Sequence, residues 1–192
     1  MQIGFYFDQT RCTGCGACIV ACEDWHDVPA GPVKWIRVLY SERGEFPEVF
    51  VSHIVAPCYH CVSPLCIPAC PVKAISKREE DGIVVVDREA CLGNVKCKVA
   101  CLKACPYDAP QFGPEPDAKM EKCDLCLERW GENRKPVCIE ACPTRALDAG
   151  PLDELEAKYG NTREADAFAY SEKTMPSVIF KPKRWEPGVE TL

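Results

Sequence analysis

Cys12-Thr-Gly-Cys15-Gly-Ala-Cys18-Ile-Val-Ala-Cys22, residues 12 to 22, spaces four cysteines by two, two and three residues. Gly14 and Gly16 open the stretch, and glycine reaches backbone angles that other residues rarely adopt. A loop of this kind lets three sulfurs converge on one compact object. The fourth sulfur, on the helix expected to follow, points to another.

The rest of the chain repeats the theme. Its 192 residues contain 16 cysteines, in four groups of four. After the first come Cys58, Cys61, Cys66 and Cys70, then Cys91, Cys97, Cys101 and Cys105, then Cys123, Cys126, Cys138 and Cys142. Disulfides need suitable Cα separations and Cβ directions, and groups spaced by two or three residues fit repeated cross-bridges poorly. Metal ligation fits them well. The formal charge of -6 counts thiols as neutral, so a chain holding thiolate-bound metal is more acidic still. That excludes a nucleic-acid partner, which demands a basic surface. Lys96, Lys98, Lys103, Lys119 and Lys122 lie near the cysteines and could offset that charge or simply be solvated.

The two-two-three spacing of residues 12 to 22 is that of bacterial ferredoxins, in which such a loop wraps an iron–sulfur cube. Zinc is the competing structural reading, since Cys123, Cys126, Cys138 and Cys142 taken alone could form a zinc ribbon. A cysteine triplet with a distant fourth ligand followed by proline argues for iron and sulfide. His60, between Cys58 and Cys61, could tune a cluster by hydrogen bonding to sulfur, or be solvated or satisfied in the core; His26 and His53 are weaker candidates. Trp25, Tyr59, Tyr107 and Trp130 read as packing that keeps water from the metal.

Internal repeats set the organisation. Cys-Pro-Val-Lys-Ala-Ile at 70–75 matches Cys-Pro-Thr-Arg-Ala-Leu at 142–147, and Cys-Pro-Tyr-Asp-Ala-Pro at 105–110 is a looser third copy. Strands are expected at 3–7, 34–40, 49–55, 73–77 and 83–87. Short helices are expected at 17–25, 65–69, 98–104 and 137–141, and a capped one from Pro151 to Gly160. Residues 161–192 hold too little apolar material to fold alone, so this tail lies over its own body or is ordered by a partner.

On these residues the chain resembles the four-cluster iron–sulfur subunits that accompany molybdopterin enzymes of the dimethyl sulfoxide reductase family. The resemblance runs from about Phe5 to Pro182. It rests on Arg-Cys-Thr-Gly-Cys at 11–15, Cys-Tyr-His-Cys-Val-Ser-Pro-Leu-Cys at 58–66 and Glu-Asp-Gly-Ile-Val-Val-Val-Asp at 80–87. Cys-Pro-Tyr-Asp-Ala-Pro-Gln-Phe at 105–112, Lys-Cys-Asp-Leu-Cys at 122–126 and Ala-Leu-Asp-Ala-Gly-Pro-Leu-Asp-Glu-Leu at 146–155 complete it.

The resemblance implies an α+β fold of two interleaved bacterial-ferredoxin-like lobes, each with two 4Fe-4S clusters, made of short strands, short helices and long loops. One lobe would comprise residues 1–30 and 115–150, the other the inserted 50–114. Residues 31–49 would be a connecting strand segment and 151–192 a C-terminal helix and extended tail. The implied ligand sets are Cys12, Cys15, Cys18 with Cys142; Cys22 with Cys123, Cys126, Cys138; Cys58, Cys61, Cys66 with Cys105; and Cys70 with Cys91, Cys97, Cys101.

The third group admits two registers. In one, Cys91, Asn94, Cys97 and Cys101 follow the two-two-three pattern with asparagine for the second cysteine, which implies a three-iron 3Fe-4S cluster and leaves Cys105 unassigned. In the other the loop is longer and all four thiols bind. The second is favoured, because Cys105 carries the proline and the Tyr-Asp-Ala-Pro-Gln-Phe that follow the fourth ligand in the family, and sixteen cysteines then close without remainder.

The function implied is electron transfer between a large catalytic subunit with a molybdenum or tungsten bis-pterin cofactor and a membrane anchor subunit or soluble electron carrier. No catalytic residues are expected in the chain itself. It offers no paired carboxylates in a pocket, no nucleophile with an adjacent base and no phosphate loop. Two alternatives from other classes are a hydratase-like protein with an open-site cluster, which only the Asn94 register could supply, and a zinc-binding interaction module. The amino terminus lacks the basic and apolar regions of an export signal, and no apolar run approaches the roughly 18 residues of a membrane helix. A cytoplasmic subunit is expected, or a periplasmic one exported with a signal-bearing partner, without direct membrane insertion.

Overall fold

A computed structural model describes residues 1–185; the end of the expected tail, residues 186–192, lies outside the described residues. Strand β1 (Ile3–Asp8) comes first and is buried at every position, which explains its unbroken apolar run rather than an alternating one. Helix α1 (Ala17–Trp25) follows the first cysteine loop. Strands β2 (Arg37–Glu45) and β3 (Glu48–Ala56) form an antiparallel hairpin paired along its whole length, from Arg37 opposite Ala56 to Glu45 opposite Glu48. The strand expected at 34–40 starts later and runs further, to Glu45, and the one expected at 49–55 begins one residue earlier.

Short elements then serve the cysteine loops. They are α2 (Cys66–Ala69), β4 (Ile75–Lys77), β5 (Val84–Val86), α3 (Asn94–Cys97), α4 (Ala100–Ala104), α5 (Leu127–Gly131) and α6 (Val137–Glu140). Strands β4 and β5 pair antiparallel, as the pattern around Glu80-Asp81-Gly82 predicts. The helix expected from Lys98 begins two residues late. Lys98 and Val99 both take left-handed backbone angles, φ 53° and 50°, and reverse the backbone between α3 and α4. Such angles cost about 1–2 kcal/mol per residue, most for a β-branched side chain, so the surrounding loop imposes them. Leu125 and Cys126 repeat the device ahead of α5.

The final elements are β6 (Leu147–Pro151), α7 (Leu152–Tyr159) and β7 (Val178–Lys181). Helix α7 lies between Pro151 and Gly160 as its caps predict, while β6 carries no strand signal beyond Leu147 and Ala149. Strand β1 is the centre of a three-stranded sheet, antiparallel to β6 and parallel to β7. The tail therefore lies over its own body: Val178, Ile179 and Phe180 are all but fully buried, Phe180 against the rings of Phe7 and Phe168. The main core joins β1, β3, β6 and β7 to the cysteines of α1 and α6, and a second, smaller cluster surrounds Cys91, Cys101 and Met120.

Candidate cluster sites

The cysteines are gathered by strand register. In the β1–β6 pair Phe7 stands opposite Leu147, with Cys12 five residues beyond the first and Cys142 five before the second. In the β4–β5 pair Ile75 stands opposite Val86, with Cys70 five before and Cys91 five beyond. Equal offsets from an antiparallel pair bring two chain-distant cysteines to one end of a sheet, and the same geometry occurs twice.

Three cavities each have four cysteines in their walls. The first is lined by Cys12, Cys15, Cys18 and Cys142 with Phe7, Val38 and Val55, and encloses about 320 Å³ with its open mouth included. The second is lined by Cys58, Cys61, Cys66 and Cys105 with Tyr59, Tyr107 and Lys122, about 410 Å³. The third is lined by Cys70, Cys91, Cys97 and Cys101 with Phe112 and Met120, about 330 Å³. The remaining four, Cys22, Cys123, Cys126 and Cys138, are buried together in the core where α1 packs on α6.

The sulfurs sense one another. Burial, then the neighbouring thiols, push Cys18 up to about 11 and Cys61 and Cys66 to about 12. Burial and Cys126 raise Cys22 to about 12, and burial raises Cys123 and Cys138 well above the ordinary thiol value. Without metal such thiols keep their protons; a coordinated cation removes them outright. Four sulfurs converging on one apolar cavity are the donor set an iron–sulfur cube requires.

The Cys-Pro repeat now has a physical content. In both good copies the residue before alanine is left-handed, Lys73 at φ 54° and Arg145 at φ 54°, which turns the alanine N–H back onto the cysteine four residues earlier. Ala74 N donates to Cys70 Sγ and Ala146 N to Cys142 Sγ, both at 3.3 Å. In the third copy Asp108 is left-handed at φ 49° and the Ala109 N–H eases the Cys105 thiol downward against burial. At Cys142 burial again raises the thiol, but the Thr144 hydroxyl and several backbone N–H groups outweigh it, and the thiol falls below its ordinary value.

His26 was missed as the stronger histidine. Its Nε2 lies 3.3 Å from Cys126 Sγ, with the ring packed on Trp35. Its place one helical turn beyond Cys22 was the available signal. His60 is fully buried, its Nδ1 accepts the Val84 N–H at 3.0 Å, and among the described residues its Nε2 has no partner. Burial and the charges of Lys122 and Lys77 hold it well below its ordinary value, so it is neutral. His53 covers the first cysteine loop: a Cβ on Gly14, where φ is +70°, would lie 2.3 Å from His53 Nε2. Of the aromatic residues, Tyr59 and Tyr107 meet edge to face at 5.1 Å and Tyr107 stacks on Phe168 at 5.4 Å. Trp25 packs beneath Arg129, and Trp130 donates to the Leu125 carbonyl.

Asn94 lines none of the three cavities; its side-chain amide donates to the Glu115 carbonyl at 3.2 Å, and its main-chain N–H to Ala118 O. The models of the 4Fe-4S dicluster domain match residues 49–152 and residues 11–74.

This protein belongs to the 4Fe-4S dicluster family.

Among its relatives, one of the chains of the anaerobic dimethyl sulfoxide reductase of Escherichia coli is 41% identical over 189 residues, covering 94% of this sequence and 89% of its own. A subunit of the sulfite dehydrogenase of Allochromatium vinosum is 35% identical over 206 residues, 95% and 84% of the two sequences. The beta subunit of formate dehydrogenase 2 (cytochrome c-553) of Nitratidesulfovibrio vulgaris is 31% identical over 187 residues, 87% and 84%. This dicluster protein is thus an iron–sulfur electron-transfer subunit of the kind found in molybdoenzyme complexes, non-catalytic itself and working beside a catalytic subunit. It carries four 4Fe-4S clusters, and the zinc and three-iron alternatives fall. The zinc set fails geometrically as well, since Cys142 faces the cavity of Cys12 rather than the site of Cys123. Among the described residues no helix is long and apolar enough to cross a membrane.

Proposed function

We propose that the dicluster subunit holds its clusters in four sets: Cys12, Cys15, Cys18 and Cys142; Cys22, Cys123, Cys126 and Cys138; Cys58, Cys61, Cys66 and Cys105; Cys70, Cys91, Cys97 and Cys101. The observation that carries this reading is that each of three cavities is walled by four cysteines drawn from two separate sequence groups. The two lobes, 1–30 with 115–150 and the inserted 50–114, are proposed on the same ground. Bound 4Fe-4S clusters supply one-electron redox chemistry at a potential set by their surroundings.

The protein's own residues do the remainder. Sulfurs fix position, and the Ala74 and Ala146 N–H groups orient Cys70 and Cys142. Tyr59, Tyr107 and Phe168 exclude water from the Cys58 set. Neighbouring sets share elements: Cys18 and Cys22 lie on α1, Cys58 and Cys123 lie in the same buried core, and Cys101 and Cys105 lie towards the two ends of α4. This supports a row in which the first and last sets are the terminals. Cys15 is exposed at the first, a place for an electron to enter or leave.

In this reading the catalytic partner is a large subunit with a molybdenum or tungsten bis-pterin cofactor, and the other terminal serves a membrane anchor subunit or a soluble carrier. Assembly is placed in the cytoplasm, where thiols stay reduced, with export beside a signal-bearing partner as the route to the periplasm. Serine variants test the pairing by EPR of the reduced protein. Cys142→Ser and Cys18→Ser should alter one and the same signal, and Cys22→Ser a different one. If Cys142→Ser and Cys22→Ser alter a common signal, the pairing is wrong. Metal analysis of the protein that co-purifies with a tagged chain tests the partner: a large subunit without molybdenum or tungsten refutes it.

A further inference from the structure

Lys122 is among the most deeply placed charges in the protein. It is 3% exposed, and its Nζ donates to two carbonyl oxygens, that of Val84 on β5 and that of Cys123 at 2.9 Å. Among the described residues it enters no ion pair with a carboxylate, unlike the buried Arg129, which meets Glu140 at 2.5 Å. Carbonyl oxygens solvate an ammonium group but do not neutralise it, and an uncompensated charge in a protein interior is strongly destabilising. A compensating anion must therefore be near.

The same residue lines the cavity of Cys58, Cys61, Cys66 and Cys105, and it immediately precedes Cys123. The other lysines near cysteine groups are placed differently. Lys96, Lys98 and Lys103 are exposed, the half-buried Lys119 donates to the Cys91 carbonyl but lines none of the three cavities, and Lys77 reaches the Cys61 and Val62 carbonyls from the surface.

We propose that Lys122 is the built-in counter-charge of the cluster held by Cys58, Cys61, Cys66 and Cys105, and that it sets that cluster's potential above the value the sulfurs alone would give. Each electron accepted adds a negative charge to the cluster, and a fixed ammonium group in the cavity wall favours the reduced state. Because the lysine is tied to Cys123 O, it stands where the second ligand set adjoins the third, at the passage between the two lobes. The inference rests on the proposed assignment of the Cys58 set.

The test is an EPR-monitored potentiometric titration of the purified subunit complex carrying Lys122→Met, Lys122→Gln or Lys122→Arg. In the Met and Gln variants, which lose the charge, one cluster should become harder to reduce by about tenfold in its equilibrium constant, 59 mV for one electron. The Arg variant should stay near the wild-type midpoint. The displaced signal should be the one that Cys66→Ser also alters. A Met or Gln variant with all four clusters and unmoved midpoints overturns the proposal while leaving the ligand sets standing. A displaced signal insensitive to Cys66→Ser overturns it too. If only the Arg variant loads its clusters, the lysine is needed for assembly, and its assignment as a setter of potential is overturned.

Discussion

Gly14→Ala isolates the demand that the first cysteine loop makes on the backbone. Gly14 has φ +70°, and a Cβ there would lie 2.3 Å from His53 Nε2 and 2.5 Å from Cδ2. Two separate costs follow. The left-handed angle costs an L residue about 1–2 kcal/mol. The clash forces the His53 ring away from its rotamer, at about 0.5–1.5 kcal/mol more. His53→Ala removes the second cost and leaves the first, so the pair forms a double-mutant cycle. Loop opening uncovers the half-buried Cys12 beside the already exposed Cys15, and when reclosing outpaces capture of iron, the rate of loss follows the opening equilibrium. In the His53→Ala background, Gly14→Ala should therefore speed chelator-induced bleaching of one cluster by roughly 5- to 30-fold, the factor that 1–2 kcal/mol commands. With His53 present the acceleration should be larger. Equal bleaching rates for His53→Ala with and without Gly14→Ala would refute the reasoning, because the loop would then make no left-handed demand.

Asn94→Ala should retain all four clusters and leave the oxidised protein EPR-silent, because Asn94 bonds the Glu115 carbonyl and lines no cavity; a half-integer three-iron signal from the native protein would overturn this. Phe180→Ala should cost about 3–5 kcal/mol, read as a lower guanidinium midpoint for loss of far-UV circular dichroism under anaerobic conditions, since Phe180 is 1% exposed between Phe7 and Phe168. A change of the size typical of surface sites, within about 0.5 kcal/mol, would mean that the tail does not stabilise the body. Chelation of iron should abolish compact structure, because sixteen cysteines need their metal to approach one another. Native circular dichroism in iron-free protein would contradict it.

Much of the site was legible because ligand chemistry is written in spacing. The four cysteine groups, the Cys-Pro repeat and the caps of α7 depend on local rules and can be read from single residues. What escaped depends on contacts between distant segments. Strand β6 is Leu-Asp-Ala-Gly-Pro, a weak strand sequence that pairs because β1 supplies its partner, and tertiary context outweighs propensity there. Helices α3 and α5 are only four and five residues long, and unlike the equally short α2, α4 and α6 neither leads into a Cys-Pro step that marks its end. His26 looked unremarkable until α1 packed on α6 and set it beside Cys126, and Lys122 looked like one more basic residue until burial removed its water.

The equal offsets of the two strand pairs explain why the third cysteine group can depart from the compact spacing of the first. Register fixes Cys70 and Cys91 through Ile75 and Val86, just as it fixes Cys142 and Cys12 through Leu147 and Phe7. With those two cysteines placed by the sheet, the path from Cys91 to Cys101 has only to return Cys97 and Cys101 to the same cavity. It does so with α3, the left-handed pair Lys98 and Val99, and α4. The added length leaves Asn94 off the cavity wall, bonded to the Glu115 and Ala118 carbonyls, and carries Cys105 past α4 to the neighbouring cavity. Spacing within a group is thus the adjustable quantity and strand register the fixed one. Ligand sets in such a protein are therefore better inferred from which strands pair than from how closely the cysteines follow one another.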